Sequence, residues 1–186
     1  MRAPLTFYLA ARYSRREELC AYKADLEARG HSVPARWLLG EHQVHGLEAA
    51  RAIEASGPVP AEQAVLFAED DMEDLLAADV LVNFTEPPRS SATRGARHVE
   101  LGIALGLRRA ASMFDAQVRR IFIVGPLENV FHALPEIDGR FDDWAGFLAH
   151  LGAQPEGHGR RCDAHPWHRC TAWHEDTFRR VPCGAR

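Results

Sequence analysis

Glu100 stands where a carboxylate could react. The run Thr93-Arg94-Gly95-Ala96-Arg97-His98-Val99-Glu100-Leu101-Gly102-Ile103-Ala104-Leu105-Gly106-Leu107 places it near the start of an apolar, helix-like stretch. A strand-like segment, Val80-Leu81-Val82-Asn83-Phe84-Thr85, and a loop, Glu86-Pro87-Pro88-Arg89-Ser90-Ser91, come before it. An acid flanked by Val, Leu and Ile between strand and helix reads as more than a solvated surface charge. Open α/β sheets bind ligands outside the carboxyl ends of their strands, which is where this acid is expected. A second acidic group, Asp70, Asp71, Glu73 and Asp74, precedes the strand, and taken alone it reads as a helix turn facing water. Near the end, Cys162, His165, His168, Cys170, His174 and Cys183 lie close together. Their types suit a structural zinc, although their spacings do not form a clean paired-ligand pattern.

The elements that must position Glu100 follow from periodicity. Leu5 to Ala10 reads as a buried first strand. Ser14-Arg15-Arg16-Glu17 has the form of a capping box, and Leu19, Tyr22 and Leu26 give the helix after it one apolar face. Arg29-Gly30 closes that helix, and His31 to Trp37 is expected to be a second strand, parallel to the first. Residues 38–60 are irregular, with a short helix expected inside them, and long for a connection, as binding loops often are. A helix is expected over 60–77, with Ala64, Phe67, Leu75 and Leu76 towards the core. Strands are expected at 79–85 and 120–125, with the Glu100 helix from 98 to 107 and an extension or small insertion over 108–118. A short helix is expected at 129–134 and a last amphipathic helix from Phe141 to Leu151. From Gly152 the apolar periodicity stops. Residues 1–151 are therefore read as one α/β domain and 152–186 as a Cys/His/Arg-rich tail.

With 186 residues and 46% hydrophobic content, one domain with a real core is expected. A transmembrane helix is not, since no run of about 18 apolar residues exists. The first residues, broken by Pro4 and followed by Arg12, Arg15 and Arg16, read as a strand and not a signal peptide. A net charge of -4 makes a nucleic-acid partner unexpected. Cys20 is the only cysteine outside the tail, which fits a reducing cytoplasm.

Four ordered segments resemble the nucleoside 2-deoxyribosyltransferase superfamily, which includes the 2′-deoxynucleoside 5′-monophosphate N-glycosidases. They are Phe7-Tyr8-Leu9-Ala10-Ala11, then Asp70 through Val82, then Gly95-Ala96-Arg97-His98-Val99-Glu100-Leu101-Gly102, then Glu128-Asn129-Val130-Phe131-His132. The chain looks most like the phage and actinobacterial members. The resemblance implies a flavodoxin-like, Rossmann-like doubly wound parallel sheet, a homodimer or higher homo-oligomer with shared sites, and no cofactor for the chemistry. It implies that Glu100 attacks C1′ of the sugar and that Asp71 helps the base to leave, the logic of retaining glycosidases. Asp70 and Asp74 are neighbours, and a one-residue slip in the match would change the assignment. Tyr8 matches a pocket aromatic. Asn129 matches a residue that reaches the sugar's 5′ end, and it also suits a helix N-cap.

Arg94, next to Gly95 and six residues before Glu100, departs from both branches of the family. Free-nucleoside transferases carry an acid there, and monophosphate glycosidases a small hydroxyl residue. With Arg89, Ser90, Ser91, Thr93 and a helix N-terminus, Arg94 makes a cradle suited to phosphate, which favours a nucleotide substrate. Trp37, His42 and Gln43 offer stacking and hydrogen bonding suited to a base. His98, two residues from Glu100, diverges from it on a helix and is read as structural. The expected activity is cleavage or exchange of an N-glycosidic bond, leaning to nucleotide hydrolysis. The alternatives are transfer between free nucleosides, a non-catalytic nucleotide sensor, a defence-type glycosidase acting on a larger nucleotide, and a zinc or nucleic-acid module in the tail.

Overall fold

The computed structural model describes residues 3–40, 61–87, 95–114 and 120–153. Strand β1 (Phe7–Ala10) leads through a 3-10 turn (Tyr13–Arg15) into α1 (Arg16–Glu27). A second 3-10 turn (Arg36–Leu39) comes before α2 (Ala61–Ala77), which runs into β2 (Val80–Phe84). Helix α3 (Ala96–Phe114) leads to β3 (Arg120–Val124). A third 3-10 turn (Val130–Ala133), β4 (Gly139–Phe141) and α4 (Trp144–Ala153) complete the described chain. The four strands form one parallel sheet in the order β1-β2-β3-β4, so the chain is α/β and Rossmann-like.

Register assigns the two faces of the sheet. Phe7, Val80 and Arg120 lie side by side, as do Leu9, Val82 and Phe122, then Phe84 and Val124. Phe7 and Phe122 both meet Phe147 of α4, and Phe84 stacks on Tyr22 of α1, which stacks on Trp144. Helices α1 and α4 therefore cover that face. The alternate residues Tyr8, Leu81 and Ile121, then Ala10, Asn83 and Ile123, face the other way, where α3 contacts β1 and β2. Strand residues are buried almost throughout, as parallel strands between two helical layers must be.

Several expectations change for identifiable reasons. The second strand shrinks to a bridge between Ser32 and Thr6, on the edge of β1 away from β2. Ser32 exchanges N–H···O bonds with Leu5 and Phe7, and the next rung would need the N–H of residue 34. That residue is Pro34, which has none, so the ladder stops. The expected capping box does not form. Residues Tyr13–Arg15 make a 3-10 turn, no side chain caps α1, and Arg15 instead grips Glu18 with two bonds of 2.7 Å. Phe141 ends β4 instead of starting the last helix, where Asp143 accepts the Gly146 N–H at 2.8 Å. Leu76, read as core, is 44% exposed, while Leu75 beside it is buried. Gly30 has a left-handed backbone at the end of α1, as expected. No described helix is long and apolar enough to cross a membrane.

The carboxyl ends of β2 and β3 close tightly on each other. Thr85 donates its N–H to Val124 O at 2.9 Å, and a Cβ on Gly125 would stand 2.5 Å from Thr85 Oγ1. Gly125 has φ +114°, so both space and backbone require glycine.

Candidate active site

Tyr8 and Glu100 meet between sheet and helix. Tyr8 lies in the middle of β1 on the α3 side and is fully buried. Glu100 lies in the second turn of α3, on the helix that packs over β1 and β2. The Tyr8 hydroxyl donates to Glu100 Oε1 at 3.1 Å. Burial pushes the Glu100 carboxyl up to about 8, and the negative charge of Asp71 adds to the rise. The Tyr8 hydrogen bond and the Arg97 guanidinium pull the other way and lose. Tyr8 is itself raised, by burial first and then by the charges of Glu100 and Asp71, so it remains a donor. The result is a carboxyl group that ionises just above neutrality, the range useful for proton transfer or nucleophilic attack.

The acidic run on α2 divides in two. Arg36 holds Asp74 through its backbone N–H (2.7 Å) and Nε (3.0 Å), and Asp70 through Nη1 (2.5 Å). Asp71 lies outside that clamp, and its charge is felt by both Glu100 and Tyr8. Of the three aspartates, Asp71 is therefore the one whose field falls most directly on Glu100.

Arg97 comes one turn before Glu100 on the same helix face. It is 3% exposed, and its Nη2 bonds Glu128 Oε1 after β3. The Glu86 N–H, after β2, donates to the other Glu128 oxygen at 3.3 Å. Glu128 thus ties the ends of β2 and β3 to the start of α3. Arg97 Nε is buried without a partner. Asn83 is also fully buried, in register with Ala10 on the Tyr8 face, and neither its amide oxygen nor its nitrogen has a partner. Buried orphan amides are rare, because each costs free energy without return unless something pairs with it.

Asn129 caps the third 3-10 turn, its Oδ1 accepting the Phe131 N–H at 2.9 Å. Its Nδ2 lies 3.2 Å from His98 Nδ1 and 3.0 Å from His132 Nε2. With His98, Leu101, Gly102, Leu105, Val130 and Phe131 it lines a cavity of about 310 Å³ that does not include Tyr8 or Glu100. His98 is thus turned to Asn129 and to Glu128 (3.5 Å), away from Glu100, as its helix position implied. Trp37 is 7% exposed, and its indole N–H donates to Leu9 O at 3.1 Å while its ring tilts against Tyr13. Those contacts make it an anchor between the second 3-10 turn and β1. Gly95 precedes α3 and accepts the His98 N–H at 2.8 Å.

Gln43 and Arg94 lie outside the described residues, as do His42, Arg89, Ser90, Ser91 and Thr93. So do all the Cys and His residues of the tail. Among the described residues no group of three or more His, Cys, Asp or Glu could hold a metal ion. Sequence reasoning assigned no site role to Arg97, Asn83, Arg36 or Glu128. The signals were a polar residue inside an apolar strand for Asn83 and an i, i+3 partner of Glu100 for Arg97. Arg36 and Glu128 carried no comparable local signal. No protein-family model matches this chain, and no curated protein matches it either.

Proposed function

We propose that this chain cleaves the N-glycosidic bond of a (deoxy)nucleoside or, by preference, its 5′-monophosphate, with Glu100 as nucleophile and Asp71 as the acid that assists the leaving base. The observation that carries this reading is the Tyr8–Glu100 hydrogen bond, with Asp71 acting on the same carboxyl group, beside a parallel sheet. Two acids with different surroundings suit a double displacement. The Glu100 carboxylate bonds to C1′ as the C1′–N bond breaks, and the base takes its proton from Asp71. Water then attacks C1′, the ester breaks, Asp71 recovers a proton from that water, and Glu100 is released. If a second base attacks in place of water, the same enzyme is a transferase.

Attack requires ionised Glu100, and burial together with the charge of Asp71 leaves that carboxyl group favouring its proton near neutral pH. Asp71 must meanwhile hold the proton it gives to the base, so turnover needs the one proton shared by the two carboxyl groups to sit on Asp71. It is lost both below the pH at which Glu100 can ionise and above the pH at which the pair has given that proton up. The nucleotide preference rests on Arg94 and its neighbours. The order Ser32 segment-β1-β2-β3-β4, with helices on both faces, supports a flavodoxin-like doubly wound sheet. The exposed Val99, Leu127, Val130 and Phe131 support a homo-oligomer. We place the enzyme in the cytoplasm, with no cofactor in the reaction.

The test is free-base release from ribo- and deoxynucleosides and their 5′-monophosphates, with and without a second base, beside Glu100→Ala. Release that falls at least about a thousandfold in the folded variant is expected. Wild-type-like release by Glu100→Ala removes the nucleophile. Silence of the wild type across all substrates leaves a nucleotide-binding module as the better reading.

A further inference from the structure

Arg36 touches neither Tyr8 nor Glu100 among its described contacts, yet it grips α2 on both sides of Asp71. Besides its bonds to Asp74 and Asp70, its Nη2 donates to the Asp70 carbonyl (2.7 Å) and to Glu73 Oε2 (3.0 Å). On a helix, residues 70, 73 and 74 share one face, and residue 71 is rotated about 100° from residue 70. The clamp thus fixes the rotation of α2 by the face next to Asp71. Asp74 is the deepest member, with 11% side-chain exposure.

The other end of the clamp is anchored to the strand that carries Tyr8. Arg36 opens the 3-10 turn whose next residue, Trp37, donates to Leu9 O. Leu38 O accepts from Arg16 Nε at 2.8 Å, which ties the same turn to α1. A continuous path therefore runs from β1 through Leu9, Trp37 and Arg36 to Asp70 and Asp74. It gives Tyr8 and Asp71 one common frame. The guanidinium fork holds three carboxylates and a carbonyl at once, four acceptors, one more than the three N–H donors of a lysine could meet.

We infer that Arg36 is a positioning residue for the departure of the base, tying α2 to β1 so that the Asp71 carboxyl is presented beside Glu100. This inference rests on the assignment of Asp71 as the acid. Arg36 acts through Asp71 and needs no contact with substrate.

Leaving-group chemistry separates this role from general support of the fold. A nucleoside whose guanine is methylated at N7 carries a positive charge on the base. When the C1′–N bond breaks, its electron pair neutralises that charge and no proton is required. Loss of a misplaced acid is then invisible, whereas loss of a well-formed site is not.

Base release is measured for guanine and N7-methylguanine substrates with the wild type, Asp71→Asn, Arg36→Met and Arg36→Lys. Arg36→Met is expected to lose about ten- to a hundredfold on the unmethylated substrate, the scale of a displaced catalytic group, and less than about threefold on the methylated one. Asp71→Asn should show the same pattern, Arg36→Lys should recover only part of the loss, and the double variant should be no worse than Asp71→Asn alone. If Arg36→Met does not fold, Asp74→Asn loosens the clamp from its other side and should give the same selectivity. Equal losses on both substrates by folded variants overturn the inference. Glu100-dependent release with no leaving-group selectivity in Asp71→Asn removes the acid and the inference with it. Absence of any release by the wild type overturns the proposed function itself.

Discussion

Glu100 and Glu128 are both influenced by Arg97, and the fold treats them in opposite ways. Glu128 takes the Arg97 guanidinium on one oxygen and the Glu86 N–H on the other, with His98 at 3.5 Å. Among the described residues Glu100 has a single phenol donor, and its strongest charged influence is another carboxylate, Asp71. One glutamate closes an ion-paired network that holds two loops and the start of α3 together. The other is partly buried with too little compensation, and its affinity for a proton rises. The contrast shows that the proton affinity of a carboxylate is set by what is withheld from it as much as by what touches it.

The comparison breaks first at Glu128. Glu128→Gln leaves Arg97 buried without its counter-charge and is expected to destabilise the fold by about 3 kcal/mol, read by denaturant unfolding. It should also lower the pH at which Glu100 ionises, because Arg97 is then less neutralised. A loss under about 1 kcal/mol would mean that the Glu128 network is dispensable.

Glu100→Gln should do the reverse and stabilise. In the folded chain the Glu100 carboxyl ionises near 8, against an ordinary value of 4.5. Between those values the folded state holds a proton that the unfolded state has released, so stability falls as pH rises through that window. The gain from Glu100→Gln is therefore expected to be small below pH 4.5 and full above pH 8, on the order of 2 kcal/mol or more. A melting-temperature difference that does not change between pH 5 and pH 9 would contradict the partly buried, charge-opposed setting of Glu100.

Asn83 sharpens the contrast from the sheet side. Its unpaired amide should be a liability to the fold, so Asn83→Leu is expected to be neutral or stabilising by up to about 1 kcal/mol while base release falls. Stability and activity falling together would make Asn83 a structural residue. The smallest effect belongs to Tyr8→Phe. Removing the donor that lowers Glu100 should move the acid limb of the pH–rate profile upward by a few tenths of a unit to about one unit. An unmoved limb would mean that the hydrogen bond has no part in setting Glu100.

Much of the fold was legible because it is local. An apolar run of five or six residues makes a buried strand wherever it occurs, so β1, β2 and β3 were found close to their true bounds. The helix carrying Glu100 was found from its apolar periodicity, and Asn129 does cap its turn, as its residue type suggests. β4 was missed because three residues, Gly139–Phe141, carry too little pattern to be seen. The strand expected from His31 to Trp37 is reduced to a single bridge because Pro34 lacks the N–H that the next rung of the ladder needs.

The sequence by itself determined that an acid would start a helix beside a parallel sheet, since strand, loop and helix are each written in neighbouring residues. It did not decide among Asp70, Asp71 and Asp74, which are chemically identical and nearly adjacent. Only the tertiary structure tells them apart, because Arg36, more than thirty residues earlier in the chain, binds Asp70 and Asp74. The proton affinity of Glu100 was likewise settled by the fold. It depends on burial and on the distances to Tyr8, Asp71 and Arg97, and two of those groups come from other elements brought together by packing.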